Sequence, residues 1–253
     1  MMNNKLLWFV WQDQLTRKKY HVGNLFYENG KGYLFNYVDD QKARGLQEAM
    51  KNGFRGFFAF PDFGKKYRSE FLFHAFNRRL PNKSRPDYDE LLKSYGLNST
   101  AHEMELLKIT KGKTATDSFE LVSPILLDKD ATFKVNFHIE GWRYYNGNEI
   151  IDELKQNQKL KLVRVSDIKQ DKYAVKVLAN RDTLIGYVPA VYSEFFSTLL
   201  QQDAEIEMQI ETINKTAIPQ MKLYVHVSGE LPLEFRISYP DLLYPVEQSY
   251  EYA

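Results

Sequence analysis

Apolar residues come in short runs and alternations at the start of the chain: LLWFVW at 6–11, YHVGNLFYE at 20–28 and GYLFNYV at 32–38. Asn29-Gly30 stands between the second and third runs, where a residue pair that accepts positive φ closes a tight hairpin. A small antiparallel meander over residues 5–37 follows. The period then lengthens. In YRSEFLFHAFNRRL (67–80) the residues Phe71, Leu72, Ala75, Phe76 and Leu80 fall on one helical stripe, and Pro81 ends it. RPDYDELLKSYGL (85–97) predicts a second helix, with Pro86 in its first turn, acids at its start and Gly96 at its C-cap. Thr100 and Glu103 are spaced as a capping box for a third, AHEMELLKI. KGKTATDSFEL (111–121) is predicted as loop, and SPILLDKDATF holds the best domain boundary, at about 124–131.

Beyond 132 the short period returns. FKVNFHIEGWRYY, LKLVRV, YAVKVL, AEIEMQIETI and MKLYVHVSGEL predict strands, and IGYVPAVYSEFFSTLL begins as strand and turns helical after Pro189, clustering Phe195, Phe196, Leu199 and Leu200. Strands recurring about every ten residues suggest a small barrel or sandwich. The fold class is therefore α+β: an N-terminal β-meander with helices over 1–125, a β-barrel or sandwich domain over 130–235, and an acidic tail over 236–253.

Composition narrows this only partly. With 253 residues, 43% hydrophobic and 26% charged, the chain has the balance of a soluble globular protein of one or two domains. It has no cysteine, so it has no disulfide, thiol nucleophile or thiolate metal site, and this fits a cytoplasmic protein. The apolar run near the N-terminus is too short for a signal-peptide core or a membrane span. Net charge is +1, but it is unevenly placed. Residues 1–130 carry 21 Lys and Arg against 16 Asp and Glu, residues 131–200 carry 10 against 8, and residues 201–253 carry 3 against 9. Nucleic-acid binding would have to come from a local site rather than from a global basic field.

Catalytic patterns are missing. The five histidines, at 21, 74, 102, 138 and 226, show no metal-ligand spacing. NGKGY holds a lone GxG that opens no helix, and there is no Walker lysine, nucleophile elbow or kinase catalytic loop. The carboxylates of Asp87, Asp89 and Glu90 sit at a helix start, where acids offset the macrodipole, and Asp39-Asp40 and Asp128-Asp130 lie in turn-like contexts. The reading expects a binding protein rather than an enzyme, without metal or cofactor.

One cluster does suggest a site. GWRYYNGNEI (141–150) puts an indole, a guanidinium and two phenols side by side before a turn. Such residues either fill a β-rich core or stack on rings and hold an anion. FHIEGWRYYNG, then LKLVRVSDIKQDKYAVKVL, then LIGYVPAVYSEFFSTLLQQD resembles the HIRAN domain, in order and at family-like spacing, over about residues 132–228. The resemblance implies an OB-like barrel that captures the 3′ end of single-stranded DNA. Arg143 would pair with a phosphate. Tyr144 and Tyr145, on opposite faces if the segment is a strand, would offer one ring to a base. Asp171 matches the family's loop aspartate and would accept a hydrogen bond from a terminal 3′-OH, while a 3′-phosphate would be repelled. Tyr187, before Val188-Pro189, would line the same pocket. Trp142 is read as core.

The first half resembles a second family. Val22-Gly23, Phe35, Tyr37, Phe76, Leu80-Pro81 and Arg85 follow the pattern of the N-terminal subdomain of HipA-like kinases, over about 100 residues. The kinase body is absent from this sequence. The resemblance implies a protein-interaction domain, and as an alternative function an antitoxin-like regulatory partner of a HipA-type serine/threonine kinase toxin.

Overall fold

The computed structural model describes residues 5–38, 44–128, 130–165, 172–233 and 235. The chain divides into two compact units, one ending at Pro124 and the other beginning at Ile125. The acidic tail lies outside the described residues, as do Asp39 and Asp40.

The first unit is built on β1 (Lys5–Gln12), β2 (Lys19–Glu28) and β3 (Gly32–Tyr37), the meander that the apolar runs predict. It also contains α1 (Leu46–Lys51), β4 (Tyr67–Ser69), α2 (His74–Asn77), α3 (Tyr88–Ser94), α4 (Glu103–Thr110) and β5 (Phe119–Val122). The strands form one antiparallel sheet in the order β4-β3-β2-β1-β5. One face carries an aromatic core in which the Phe9 ring lies 5.5 Å from both Phe35 and Phe76 and stacks on Phe119 at 4.8 Å. On the sheet's other side Lys19 and Glu120 form a buried ion pair at 2.7 Å, joined from the edge by Lys113 at 3.0 Å.

Three sequence expectations are corrected here. Residues 67–80 do not form a long helix: Tyr67 pairs with Phe35 and Ser69 with Tyr33, so the sheet takes up that backbone and only one turn, α2, remains helical. Of the expected stripe only Phe76 is fully buried, and Phe71 is 74% exposed. Residues 119–122 are strand rather than loop, because the alternation Phe119, Glu120, Leu121 sends the two apolar side chains to the core and the carboxylate to Lys19. The cap of α4 is His102 rather than Thr100. His102 Nδ1 accepts from the Met104 amide at 3.1 Å and the His102 amide donates to Glu105 at 3.3 Å, while Thr100 bonds to Asn98 instead. The C-terminus of α3 follows its sequence signal: Gly96 has φ +71°, and Leu97 N–H reaches Leu92 C=O at 2.9 Å in a Schellman closure.

The second unit contains β6 (Leu126–Leu127), β7 (Thr132–His138), α5 (Gly147–Ile150), β8 (Lys159–Arg164) and β9 (Val175–Ala179). It continues with β10 (Thr183–Tyr187), α6 (Ala190–Gln201), β11 (Ile206–Ile213) and β12 (Leu223–Glu230). Every ladder is antiparallel, in the order β10-β9-β8-β11-β12-β7-β6. Just after β7, Glu140 pairs with Tyr187 at the far edge through amide-to-carbonyl bonds of 3.0 and 2.8 Å. The ladder thus returns to β10 in the manner of a barrel. Against this sheet α6 lays Tyr192, Phe195 and Phe196 on β7, with Phe137 stacked on Tyr192 at 5.2 Å and Phe195 edge-on to Phe133 at 5.1 Å.

Candidate nucleic-acid interface

The GWRYY segment leaves the sheet immediately after the Glu140–Tyr187 bridge. It is not a strand. Trp142–Tyr144 form a single 3₁₀ turn and only Tyr145 is extended, so the two tyrosines are not placed by strand alternation. The turn begins at Gly141, whose φ of 83° most side chains avoid, and Tyr144 N–H closes it on Gly141 C=O at 2.8 Å. Trp142 turns inward, 1% exposed, and its indole N–H donates to Asn148 Oδ1 at 2.9 Å. Gly147 lies flat against that indole, and a Cβ there would stand 2.6 Å from the ring. Asn146 N–H ties the exit of the segment to Leu184 of β10 at 3.2 Å.

An inward tryptophan in a tight turn forces its C-terminal neighbours outward. Arg143 is exposed and makes no side-chain hydrogen bond or ion pair among the described residues. Tyr144 is 79% exposed. A guanidinium and a phenol ring that are free among the described residues, both on a turn fixed from beneath, can hold one phosphate and stack on one base without moving the backbone.

Tyr145 and Tyr187 behave differently. Tyr145 turns back towards the sheet, its ring 5.3 Å from that of Tyr187 at 52°. Burial, and then the Tyr145 hydroxyl, push the Tyr187 phenol up to about 12. A folded-state value above the ordinary phenol means that stability from this proton is fully present below about pH 10 and is lost as pH rises towards 12. Burial also raises Tyr20, Tyr33, Tyr37 and Tyr95, so spectrophotometric titration at 295 nm is expected to show several late tyrosines in the parent and one fewer in Tyr187→Phe. An unchanged high-pH limb would remove that phenol from the pair.

The structure thus brings Arg143, Tyr144, Tyr145 and Tyr187 to one corner of the second unit. Asp171 lies outside the described residues. One cation was not legible in the sequence. Lys176 of β9 stands directly opposite Tyr187 in the β9–β10 register, so the two side chains share a face of the sheet. The alternation Val175, Lys176, Val177 marks Lys176 as the outward position of its strand, but only the register places it beside Tyr187. Among the described residues no group of three or more His, Asp or Glu is placed to hold a metal ion, and no helix is long and apolar enough to cross a membrane.

Residues 132–232 match the HIRAN domain family model. This segment is a HIRAN domain. The match spans β7 to β12 and so contains the whole corner around Arg143. Three solved structures are similar to this chain. A protein from Lactobacillus plantarum is 17% identical, over 40% of this chain and 99% of its own, with a TM-score of 0.34. The crystal structure of the HIRAN domain of human HLTF is 19% identical, over 46% and 93%, with a TM-score of 0.36. The NMR structure of the HLTF HIRAN domain is 23% identical, over 44% and 84%, with a TM-score of 0.33. Among curated proteins none matches the chain.

Proposed function

We propose that this chain is a non-enzymatic, cytoplasmic DNA-binding protein whose HIRAN domain holds single-stranded DNA at a 3′ end. The observation that carries the reading is the pairing of Arg143 and Tyr144, both exposed, adjacent and without a partner among the described residues, on a turn anchored by Trp142. Arg143 takes the phosphate and Tyr144 the base. The Tyr145–Tyr187 pair walls the site, with Lys176 adding a second cation beside it. Asp171 receives the terminal 3′-OH, and its carboxylate repels a 3′-phosphate.

The test is fluorescence anisotropy with a labelled short single strand ending in 3′-OH or 3′-phosphate, at two salt concentrations. The 3′-OH strand is expected to bind at least tenfold more tightly, and Asp171→Ala is expected to erase the difference. Equal binding of both strands would leave a single-strand binder without end selection. No binding to either would overturn the reading.

A second reading concerns the first unit, as a protein-interaction domain whose partner is a HipA-type kinase lacking its own N-terminal subdomain. The residues that carry the resemblance support it as a fold. Val22, Phe35, Tyr37 and Phe76 are all buried in the aromatic core, where they hold the β2–β3 hairpin against the turn at α2. Co-purification of the full chain with such a kinase is its direct check.

A further inference from the structure

A cavity of about 560 Å³ opens on the first unit, between the 57–60 loop, α2 and the 114–117 loop. Its apolar wall is Phe57, Phe58, Phe60 and Phe73. This volume lies in the range of ligand pockets, which combine an apolar lining with a few polar groups.

The loop that presents it is rigidly built. The Tyr37 hydroxyl accepts from the Phe57 amide at 2.8 Å and donates to the Phe60 carbonyl at 2.7 Å, closing Phe57 to Phe60 from within the core. Phe60 N–H returns to Phe57 C=O at 2.8 Å. Phe57 and Phe60 pack inward against Phe76. Phe58, at the tip of this clasped turn, is 100% exposed. The backbone that carries it is set by the hydrogen bonds beneath, so only the side-chain rotamer remains to be ordered when the ring is covered.

The charges decide what such a ring would meet. Arg79 is buried, and its guanidinium is already neutralised by Asp117 and bonded to Gly112 C=O at 2.9 Å. It also lies 5.4 Å over the Phe57 ring. Arg78 is a different case: it lines the same cavity, is exposed, and has no ion pair or side-chain hydrogen bond among the described residues. Among the described residues the cavity therefore carries one uncompensated positive charge beside an aromatic wall, with Thr114 and Thr116 also lining it. Aromatic residues and arginine are the side chains that dominate protein interfaces, and a free cation selects a carboxylate.

We infer that this cavity is a docking site for a protein segment that inserts an aromatic or aliphatic side chain flanked by acidic residues. The inserted side chain packs on Phe58, Phe60 and Phe73, and a neighbouring carboxylate pairs with Arg78. The inference rests on the reading of the first unit as an interaction domain and adds its surface and the chemistry of its partner. It is independent of the DNA site.

The experiment titrates the full chain into fluorescein-labelled dodecapeptides, each carrying one Phe or Leu flanked by Asp and Glu, against a matched set flanked by Lys. Saturable binding of the acidic set is expected, weakened at least tenfold by Phe58→Ala. Arg78→Glu is expected to abolish it and to turn preference to the Lys set. Both side chains are exposed, so neither change disturbs the fold, and single-strand DNA affinity is the control that neither moves. Absence of peptide binding, equal binding of both sets, or binding indifferent to both substitutions would overturn the site. Self-association of the chain that Phe58→Ala abolishes would overturn it in favour of a second copy. A kinase partner that still co-purifies with both variants would overturn this surface while leaving the interaction-domain reading in place.

Discussion

Trp142→Ala is expected to destabilise the second unit by about 3–5 kcal/mol, the usual cost of removing a buried large aromatic side chain. Trp142 is 1% exposed, and its ring is in contact with Gly147 over a distance that admits no Cβ. Little backbone can move to refill the space, because Glu140 is bonded to Tyr187 before the turn and Asn146 to Leu184 after it. Asn148 Oδ1 also loses its indole donor. Thermal unfolding can be read separately for the two units. The other two tryptophans, Trp8 and Trp11, both lie on β1. In the variant, tryptophan emission thus reports only the first unit, while circular dichroism reports both. A lowered transition by circular dichroism is expected, and DNA affinity should fall even at temperatures where the unit remains folded, since Arg143 loses the anchor that orients it. Trp142→Phe keeps most of the volume and loses the hydrogen bond, so a much smaller loss is expected. A change below about 1 kcal/mol in Trp142→Ala would mean the turn holds without its indole.

How much of this was legible in the sequence follows from which forces are local. The β2–β3 hairpin was readable because Asn29-Gly30 and the flanking apolar runs specify it within twenty residues. The Schellman end of α3 was readable from Gly96 for the same reason. Residues 67–80 were misread because a helical stripe is only a periodicity, and β3 offered residues 67–69 a ladder that no local window contains. Strand β5 was hidden similarly, since Glu120 looks like a loop residue until Lys19 is placed opposite it. His102 was missed as a cap because an imidazole nitrogen does the work normally assigned to a hydroxyl or carboxylate.

The site shows the same division. Composition at 141–145 marks residues that the structure gathers at one corner of the second unit, and Trp142, read as core, is buried. The geometry was wrong in an instructive way. Strand alternation would separate Tyr144 from Tyr145 by sending them to opposite faces of one sheet. The 3₁₀ turn separates them by function instead, leaving Tyr144 free while Tyr145 is spent on Tyr187. Gly141 and Gly147, which permit that turn, read as ordinary turn residues until the φ of Gly141 and the indole packed on Gly147 are seen. The nearness of Lys176 to Tyr187 is a property of strand register, which depends on a bulge between Leu184 and Gly186 and has no marker in the β9 sequence itself.

Joint replacement of Arg143 and Tyr144 by alanine is expected to give the largest loss of DNA binding with the least loss of stability. A lost charged hydrogen bond costs roughly 1.5–3 kcal/mol and a lost base stack about 1–3 kcal/mol, so the double variant should weaken a short single strand by less than the roughly 2.5–6 kcal/mol of their sum. Both side chains are exposed and neither bonds elsewhere in the described chain, so the unfolding midpoint should stay within the range of a surface substitution. The two singles can be told apart. Arg143→Ala should lower the slope of log affinity against log salt by about 0.7, one phosphate contact on a single strand, and Tyr144→Ala should leave that slope alone. Tyr144→Phe should bind nearly as well as the parent, because stacking needs the ring and not the hydroxyl. The coupling measured by the full cycle carries the mechanism. Adjacent groups that grip one nucleotide should lose less together than the sum of their separate losses, since either loss already frees the same base and phosphate. Strict additivity would mean that they contact different nucleotides. A double variant that binds like the parent would move the DNA site away from this turn altogether.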